Sequence, residues 1–344
     1  MKQEIIDKIN RLASQDEPFL FVINYQGDKA FIRQLSDINP EECLFDFEGR
    51  GNSSDEMKNN SEKIAEISWQ IAPPLYEDYE RSFGIVKNNI MAGNSYLTNL
   101  TCKVPVSCNL SLEDIFHRAK GKYKLLLRRK RNLNPFVCFS PETFVRIKNG
   151  RIYSYPMKGT LDASLPDAEK QLMEDRKEAA EHATIVDLIR NDLSRVAENV
   201  RVDKYRYIDV LHTNKGDILQ TSSEISGRLP EDYQEHLGEI LDAQLPAGSI
   251  TGAPKDKTMQ IIHEAEGYDR GFYTGIMGIY DQGELNSAVM IRFVEEEASP
   301  SKTEKGKNSE VSRELYFKAG GGITSKSDCR KEYEEVIQKI YLPI

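Results

Sequence analysis

The chain has 344 residues, 39% of them hydrophobic, and a formal net charge of −9, enough for one large domain or two ordinary ones around a sizeable core. The acidic balance argues against a phosphate-backbone partner, because nucleic-acid affinity rests on a clustered basic surface, and no stretch approaches the roughly eighteen apolar residues of a membrane span. The five cysteines hold no C-x-x-C pair, so neither a disulfide framework nor a zinc site is expected, and without an apolar signal region after Met1 the expected place is the reducing cytoplasm.

Residues 2–14 carry the apolar spacing of an amphipathic helix, and Phe19-Leu20-Phe21-Val22-Ile23 reads as a buried strand. The polar stretch 49–62 reads as an exposed loop. A helix pattern covers 76–91, followed by strand and helix up to Lys120 and by strands at 122–128 and 136–139. The basic run Arg128-Arg129-Lys130-Arg131 reads as a solvated edge. Strands 143–148 and 151–155 are joined by Asn149-Gly150, a pair that accepts the positive φ angles of a type I′ hairpin turn. A long helix is expected over 167–199 and a turn-to-helix unit over 248–266. Strands at 274–280, 287–294 and 314–319, a charged surface loop over 295–312 and a last helix at 331–340 complete the pattern. Strands joined by hairpins, with long helices between groups of them, point to an α+β fold rather than a doubly wound one.

Lys158 lies in Tyr153-Ser154-Tyr155-Pro156-Met157-Lys158-Gly159-Thr160, at a strand end framed by a proline and a glycine. Continued ideally past the Asn149-Gly150 turn, the hairpin ladder sets Glu142 opposite Met157 and Pro141 opposite Lys158. Strict alternation then sends Lys158 and Glu142 to opposite faces, so a bulge or a strand ending at Pro156 is needed to turn them together. A lysine amine that loses its proton is a nucleophile, and a buried glutamic acid beside it is a general acid; the bland alternative is a surface Glu and Lys on a hairpin. Glu178 and Glu181 on the long helix, and Glu332 and Glu335 on the last one, are spaced i, i+3, which puts each pair on one helical face. Two such faces across a cleft would offer hard oxygen ligands suited to Mg²⁺; either pair alone also fits a solvated helix. Asp187, Arg190, Asn191 and Asp192 read as a structural polar network.

Two glycine-rich turns are anion-cradle candidates. Gly248-Ser249-Ile250-Thr251-Gly252-Ala253-Pro254-Lys255 leads into a helix and offers Ser249, Thr251 and backbone amides to a carboxylate, although it lacks the P-loop order. Ala319-Gly320-Gly321-Gly322-Ile323 follows a strand and exposes amides to a close ligand. Arg292, in the apolar run Val289-Met290-Ile291-Arg292-Phe293, needs an anionic partner, either a structural carboxylate or a substrate's. The five histidines show no metal spacing.

Together, Ser140-Pro141-Glu142, Pro156-Met157-Lys158-Gly159-Thr160, Glu181-His182, Ile185-Val186-Asp187-Leu188-Ile189-Arg190-Asn191-Asp192-Leu193, Pro246-Ala247 with the glycine turn after it, Arg270-Gly271-Phe272-Tyr273, Ile291-Arg292 and the Gly320 run resemble chorismate-utilising enzymes over residues 75–344. The P-x-K-G-T form resembles the aminodeoxychorismate synthase component I branch, whereas anthranilate synthase component I typically carries alanine at that lysine. The resemblance implies an α+β, four-layer α/β/β/α fold of two mainly antiparallel sheets, with a shortened N-terminal segment (1–74) packing on a chorismate-binding catalytic domain (75–344). It implies that Lys158 adds to C2 of chorismate while Glu142 protonates the departing C4 hydroxyl. It further implies that Mg²⁺ is held by Glu181 and Glu335 with Glu178 and Glu332 in support. Substrate carboxylates would be met by Arg292, Tyr273, Thr251, Ser249 and the Gly320, Gly321 and Gly322 amides, and ammonia would come from a glutamine amidotransferase partner. Chorismate is a dianion, so this set of cations and amides would also help keep Lys158 neutral. Two departures stand out: Gln220 occupies a place where the family usually has histidine, and the part before residue 75 is shorter than the region that binds tryptophan in many members.

Overall fold

Asn149 (φ 51°) and Gly150 (φ 67°) both take positive φ, and the turn sets Lys148 opposite Arg151, Ile147 opposite Ile152 and Arg146 opposite Tyr153. That hairpin is one part of a computed structural model that describes residues 1–53, 66–128, 133–213, 216–298 and 313–344. The expected loop over 49–62 falls mostly outside the described residues, as do 129–131 of the basic run and 299–312 of the charged loop.

The strands in chain order begin with β1 (Phe19–Ile23), β2 (Ala30–Gln34), β3 (Cys43–Phe47), β4 (Arg50–Gly51), β5 (Trp69–Ile71) and β6 (Leu97–Cys108). Next come β7 (Tyr123–Leu127), β8 (Phe136–Ser140), β9 (Thr143–Lys148), β10 (Arg151–Ser154), β11 (Met157–Asp162), β12 (Glu198–Thr213) and β13 (Gly216–Arg228). The remainder are β14 (Gly252–Ala253), β15 (Ile276–Asp281), β16 (Glu284–Val289), β17 (Phe293–Ala298) and β18 (Arg313–Ile323). Among the described residues the α-helices are α1 (Gln3–Ser14), α2 (Tyr76–Met91), α3 (Leu112–Arg118), α4 (Ala168–Glu174), α5 (Arg176–Leu193), α6 (Leu237–Gln244), the single turn α7 (Gly248–Thr251), α8 (Lys255–Glu266) and α9 (Cys329–Gln338).

The chain divides into two compact units that interleave in sequence: Met1–Asp37, Glu142–Lys255 and Arg270–Val289 form the first, and Ile38–Pro141, Asp256–Asp269 and Met290–Ile344 the second. The first holds an antiparallel sheet in the order β11-β13-β10-β9-β16-β15-β1-β2, with β12 also on β13. The second holds an antiparallel sheet in the order β6-β18-β17-β8-β7-β3-β4, with β5 on β6. Two antiparallel sheets with helices make the α+β class expected from the sequence. The boundary expected at residue 74 coincides with neither unit, because residues 1–37 belong to the first and the rest of that segment to the second.

In the first unit every residue of β1 is fully buried, and α1 buries Ile5, Ile6, Ile9, Leu12 and Ala13 on one face. In the second, Tyr79, Phe83, Val86 and Ile90 of α2, Ile115 and Phe116 of α3, Ile261 of α8 and Val336 of α9 join Leu100, Val104 and Phe317 in one apolar core.

Three expectations change. The helix expected over 167–199 is two helices followed by a strand: Asp175 is extended (φ −65°, ψ 110°), and its carboxylate accepts from Glu178 N, so it stops α4 and caps α5. The strand expected over 287–294 is the end of β16 and the start of β17, which lie in different sheets, and Arg292 between them takes φ 56°. The hairpin ladder ends at Tyr153; past Pro156 the chain pairs with β13 instead, so Glu142 does not sit opposite Met157.

Candidate functional site

Lys158 owes its place to that change of partner. Ser223 N donates to Pro156 O at 3.0 Å, Met157 and Lys158 pair with Ser222 and Thr221, and the register then shifts before Thr160 pairs with Gln220. The residue in the bulge is Gly159, at φ 77°, and a Cβ there would lie 2.9 Å from Glu178 Oε2, so both backbone and space call for glycine. Lys158 Nζ reaches Glu181 Oε2 at 2.9 Å, with the two side chains 36% and 18% exposed. Lys177 Nζ lies 3.6 Å from the other oxygen of the same carboxylate.

Glu178 lies one turn before Glu181 on α5. Its Oε2 is enclosed without a hydrogen-bond partner, and burial pushes its carboxyl above the usual range, with Lys158 opposing and Glu181 adding to the rise. An enclosed carboxylate oxygen with nothing to accept is what a hard cation would use. Gln220, across from Thr160 in β11 and Asp209 in β12, is partly buried and directly precedes Thr221, the residue paired with Lys158.

Glu142, between β8 and β9, accepts a 2.5 Å hydrogen bond from Ser249 Oγ of α7. Thr251 in the same turn is fully buried and its Oγ1 has no hydrogen-bond partner. Arg270, 2% exposed, donates to Ile250 O at 3.0 Å and stacks over the Tyr25 ring at 4.8 Å, so a buried guanidinium fixes the turn from one side; Tyr273, also buried, follows it. Asp187 and Arg190 form an exposed 2.8 Å pair, whereas Asp192 turns inward to Lys255 Nζ at 3.0 Å. Burial pushes the Asp192 carboxyl up and the Lys255 amine down, and their mutual attraction opposes both shifts.

The second unit gathers the other expected residues. Gly320, Gly321 and Gly322 are not a turn after a strand but part of β18, opposite Thr101, Leu100 and Asn99 of β6. The β17 ladder stops at Phe293 opposite Lys318, so among the described residues the glycines have a strand on one side only, and alternation leaves backbone groups facing the open side. Lys339 Nζ bridges Gly320 O (3.0 Å) and Glu335 Oε1 (2.7 Å). A Cβ on Gly321 would lie 3.6 Å from Glu332 Oε2 and 3.9 Å from Glu335 Oε1. Arg292 donates to Lys339 O at 3.1 Å, stands over Tyr341, and pairs with no carboxylate among the described residues. Of its two possible partners, the structural carboxylate is thus not found.

Each glutamate pair is held by its own helix as the spacing requires. Among the described residues no group of three or more His, Cys, Asp or Glu is close enough to hold a metal ion by itself. Sequence reasoning missed Lys255, Lys339 and Arg270 as site residues. Lys339 carried a usable signal, the i, i+4 spacing to Glu335; Lys255 and Arg270 find their partners only through the fold.

His182, fully buried beside Glu181, shares a 2.6 Å hydrogen bond with Ser223 Oγ. Burial, with Arg206 as the second cause, lowers its pKa to about 4. The unfolded chain takes this proton near pH 6.5, so between these values the unfolded state binds more protons and stability falls as pH falls. Urea unfolding should show a loss on the order of 3 kcal/mol from pH 7 to pH 4 attributable to this group. His182→Gln should flatten that slope; an unchanged slope in the variant refutes the assignment.

Comparisons with known proteins run in one direction. The family described as chorismate binding enzyme matches residues 19–343. A Haemophilus influenzae protein named uncharacterized PabA-like protein is 46% identical over 99% of this chain and 97% of its own. Aminodeoxychorismate synthase component 1 of Salmonella typhimurium is 30% identical over 76% of this chain and 56% of its own. Anthranilate synthase component 1 of Aquifex aeolicus is 36% identical over 64% of this chain and 45% of its own. A solved Bacillus anthracis structure, described as a 2,3-dihydroxybenzoate-specific isochorismate synthase, shares the fold with a TM-score of 0.71 at 19% identity, over 98% of this chain and 86% of that one.

Proposed function

The chain belongs to the chorismate-binding enzyme family, and we propose that it is component I of an aminodeoxychorismate synthase, a cytoplasmic transferase that makes 4-amino-4-deoxychorismate for para-aminobenzoate and folate biosynthesis. The observation that carries this reading is Lys158, an amine fixed by a bulge and by Glu181 in the place where anthranilate synthases typically have alanine. The Salmonella typhimurium relative is named for this branch and the Aquifex aeolicus relative for the anthranilate synthase branch, so the choice between them rests on Lys158.

In this reading the deprotonated Lys158 Nζ bonds to C2 of chorismate, both conjugated ring double bonds shift by one place, and the C4–O bond breaks as Glu142 gives its proton to the departing hydroxyl, which leaves as water. Ammonia then bonds to C4 and loses a proton to the Glu142 carboxylate, both double bonds shift back, and the C2–N bond breaks to free Lys158. Ser249, expected from the resemblance to meet a substrate carboxylate, is read here instead as the residue that holds Glu142 in place, because its hydroxyl donates to that carboxylate. Arg292, Tyr273, Thr251 and the Gly320, Gly321 and Gly322 amides are the proposed contacts to the substrate carboxylates. Arg292 has no carboxylate partner among the described residues and Thr251 Oγ1 has no hydrogen-bond partner, which leaves both available to a ligand. Mg²⁺ is the proposed cofactor, with Glu178, Glu181, Glu332 and Glu335 as its ligands; when bound it supplies positive charge to a dianionic substrate. A glutamine amidotransferase is the proposed source of ammonia.

Product analysis with chorismate, ammonia and Mg²⁺ tests the assignment. The expected product is 4-amino-4-deoxychorismate. Pyruvate release with fluorescent ortho-aminobenzoate would establish the anthranilate synthase alternative, and no turnover at high ammonia would establish a non-catalytic chorismate binder.

A further inference from the structure

The turn that carries Ser249 is held from two sides by buried cations, Arg270 and Lys255. Arg270 ties Ile250 O from one side. On the other, Lys255 Nζ bridges Asp192 Oδ2 (3.0 Å) and Gln244 O (2.9 Å), while Gln244 Nε2 returns to Asp192 O (2.9 Å), so the residues before and after the turn are tied to the end of α5. Contact is close enough that a Cβ on Gly248 would lie 3.0 Å from Asp192 Oδ2. Glu142, Ser249, Asp192 and Gln244 also line one partly open cavity of about 20 Å³, room for a single water with several polar partners.

We propose that Asp192 and Lys255 are positioning residues for the general acid: the pair locks the Gly248–Thr251 turn so that the Ser249 hydroxyl stays on Glu142. The proposal rests on the reading of Glu142 as the acid. A buried ion pair replaced by apolar or neutral groups is often close to neutral in stability, so the role assigned to this pair is geometric rather than one in folding energy. A hydroxyl displaced by about 1 Å at an acid costs up to about a hundredfold in rate.

The test compares Ser249→Ala, the pair-neutral double variant D192N/K255M, and the three substitutions combined, with chorismate, ammonia and Mg²⁺. Ser249→Ala and D192N/K255M should each lower kcat about 10–100-fold with KM for chorismate within about threefold, and the combination should be no slower than Ser249→Ala alone, since residues acting through one group are non-additive. Lys255→Arg should restore most of the activity. Effects that multiply, or a folded D192N/K255M with wild-type kcat, overturn the proposal; if D192N/K255M does not fold, Lys255→Gln combined with Ser249→Ala gives the same comparison. Glu142→Gln separates the two levels: wild-type kcat in that variant removes the acid assignment itself, whereas an inactive Glu142→Gln beside multiplying effects removes only the positioning role.

Discussion

Lys158→Ala is expected to lower amination of chorismate on the order of a thousandfold, about 4 kcal/mol of transition-state stabilisation. The size follows from what the amine is asked to do: with no nucleophile at C2, ammonia must displace a poor leaving group at C4 without the allylic shift that the adduct allows. The measurement is intact-protein mass spectrometry after incubation with chorismate and Mg²⁺ but no ammonia. Wild type should gain the mass of chorismate less one water, because the C4 hydroxyl departs, and Lys158→Ala should gain nothing. The fold should survive the change, since Lys158 is a partly exposed side chain on an edge of its sheet. Wild-type turnover in a folded Lys158→Ala protein sinks the covalent route.

Glu142→Gln should cost about 10²–10⁴-fold in kcat, the range for loss of a positioned general acid. The amide keeps the shape of the carboxyl and can still accept from Ser249 Oγ, so KM for chorismate should barely move. The same variant should fail to form the Lys158 adduct, because addition at C2 and departure at C4 are one event in the proposed route. Adduct formation at the wild-type rate would show that another group delivers the proton.

Much of the fold was legible because the signals were local. The apolar spacing of α1, the buried run of β1, the span of α2 and the Asn149-Gly150 turn each depend on a few neighbouring residues, and each forms as expected. Asp175 and Arg292 were not legible, since one polar cap and one left-handed residue interrupt patterns that look continuous from either side. The long β12–β13 hairpin went unread for a related reason: β12 carries register shifts at several points, which blur its alternation. The site divides in the same way. Glu178 with Glu181 and Glu332 with Glu335 follow from helical spacing alone, but Asp192 with Lys255 and Ile250 with Arg270 are brought together by chain reversals that no window of sequence contains.

The interleaving of the two units bears on how the protein is made. β1 takes β2 as one neighbour at once, but its other neighbour is β15, Ile276–Asp281. A ribosome must therefore add some 250 residues while one edge of a five-residue apolar strand stays open, the kind of unpaired edge that invites aggregation in a nascent chain. Neither unit can be completed from one continuous piece of polypeptide, so expressed halves of the gene product should be insoluble apart, and chaperones that shield the emerging N-terminal strand should raise the yield of the whole.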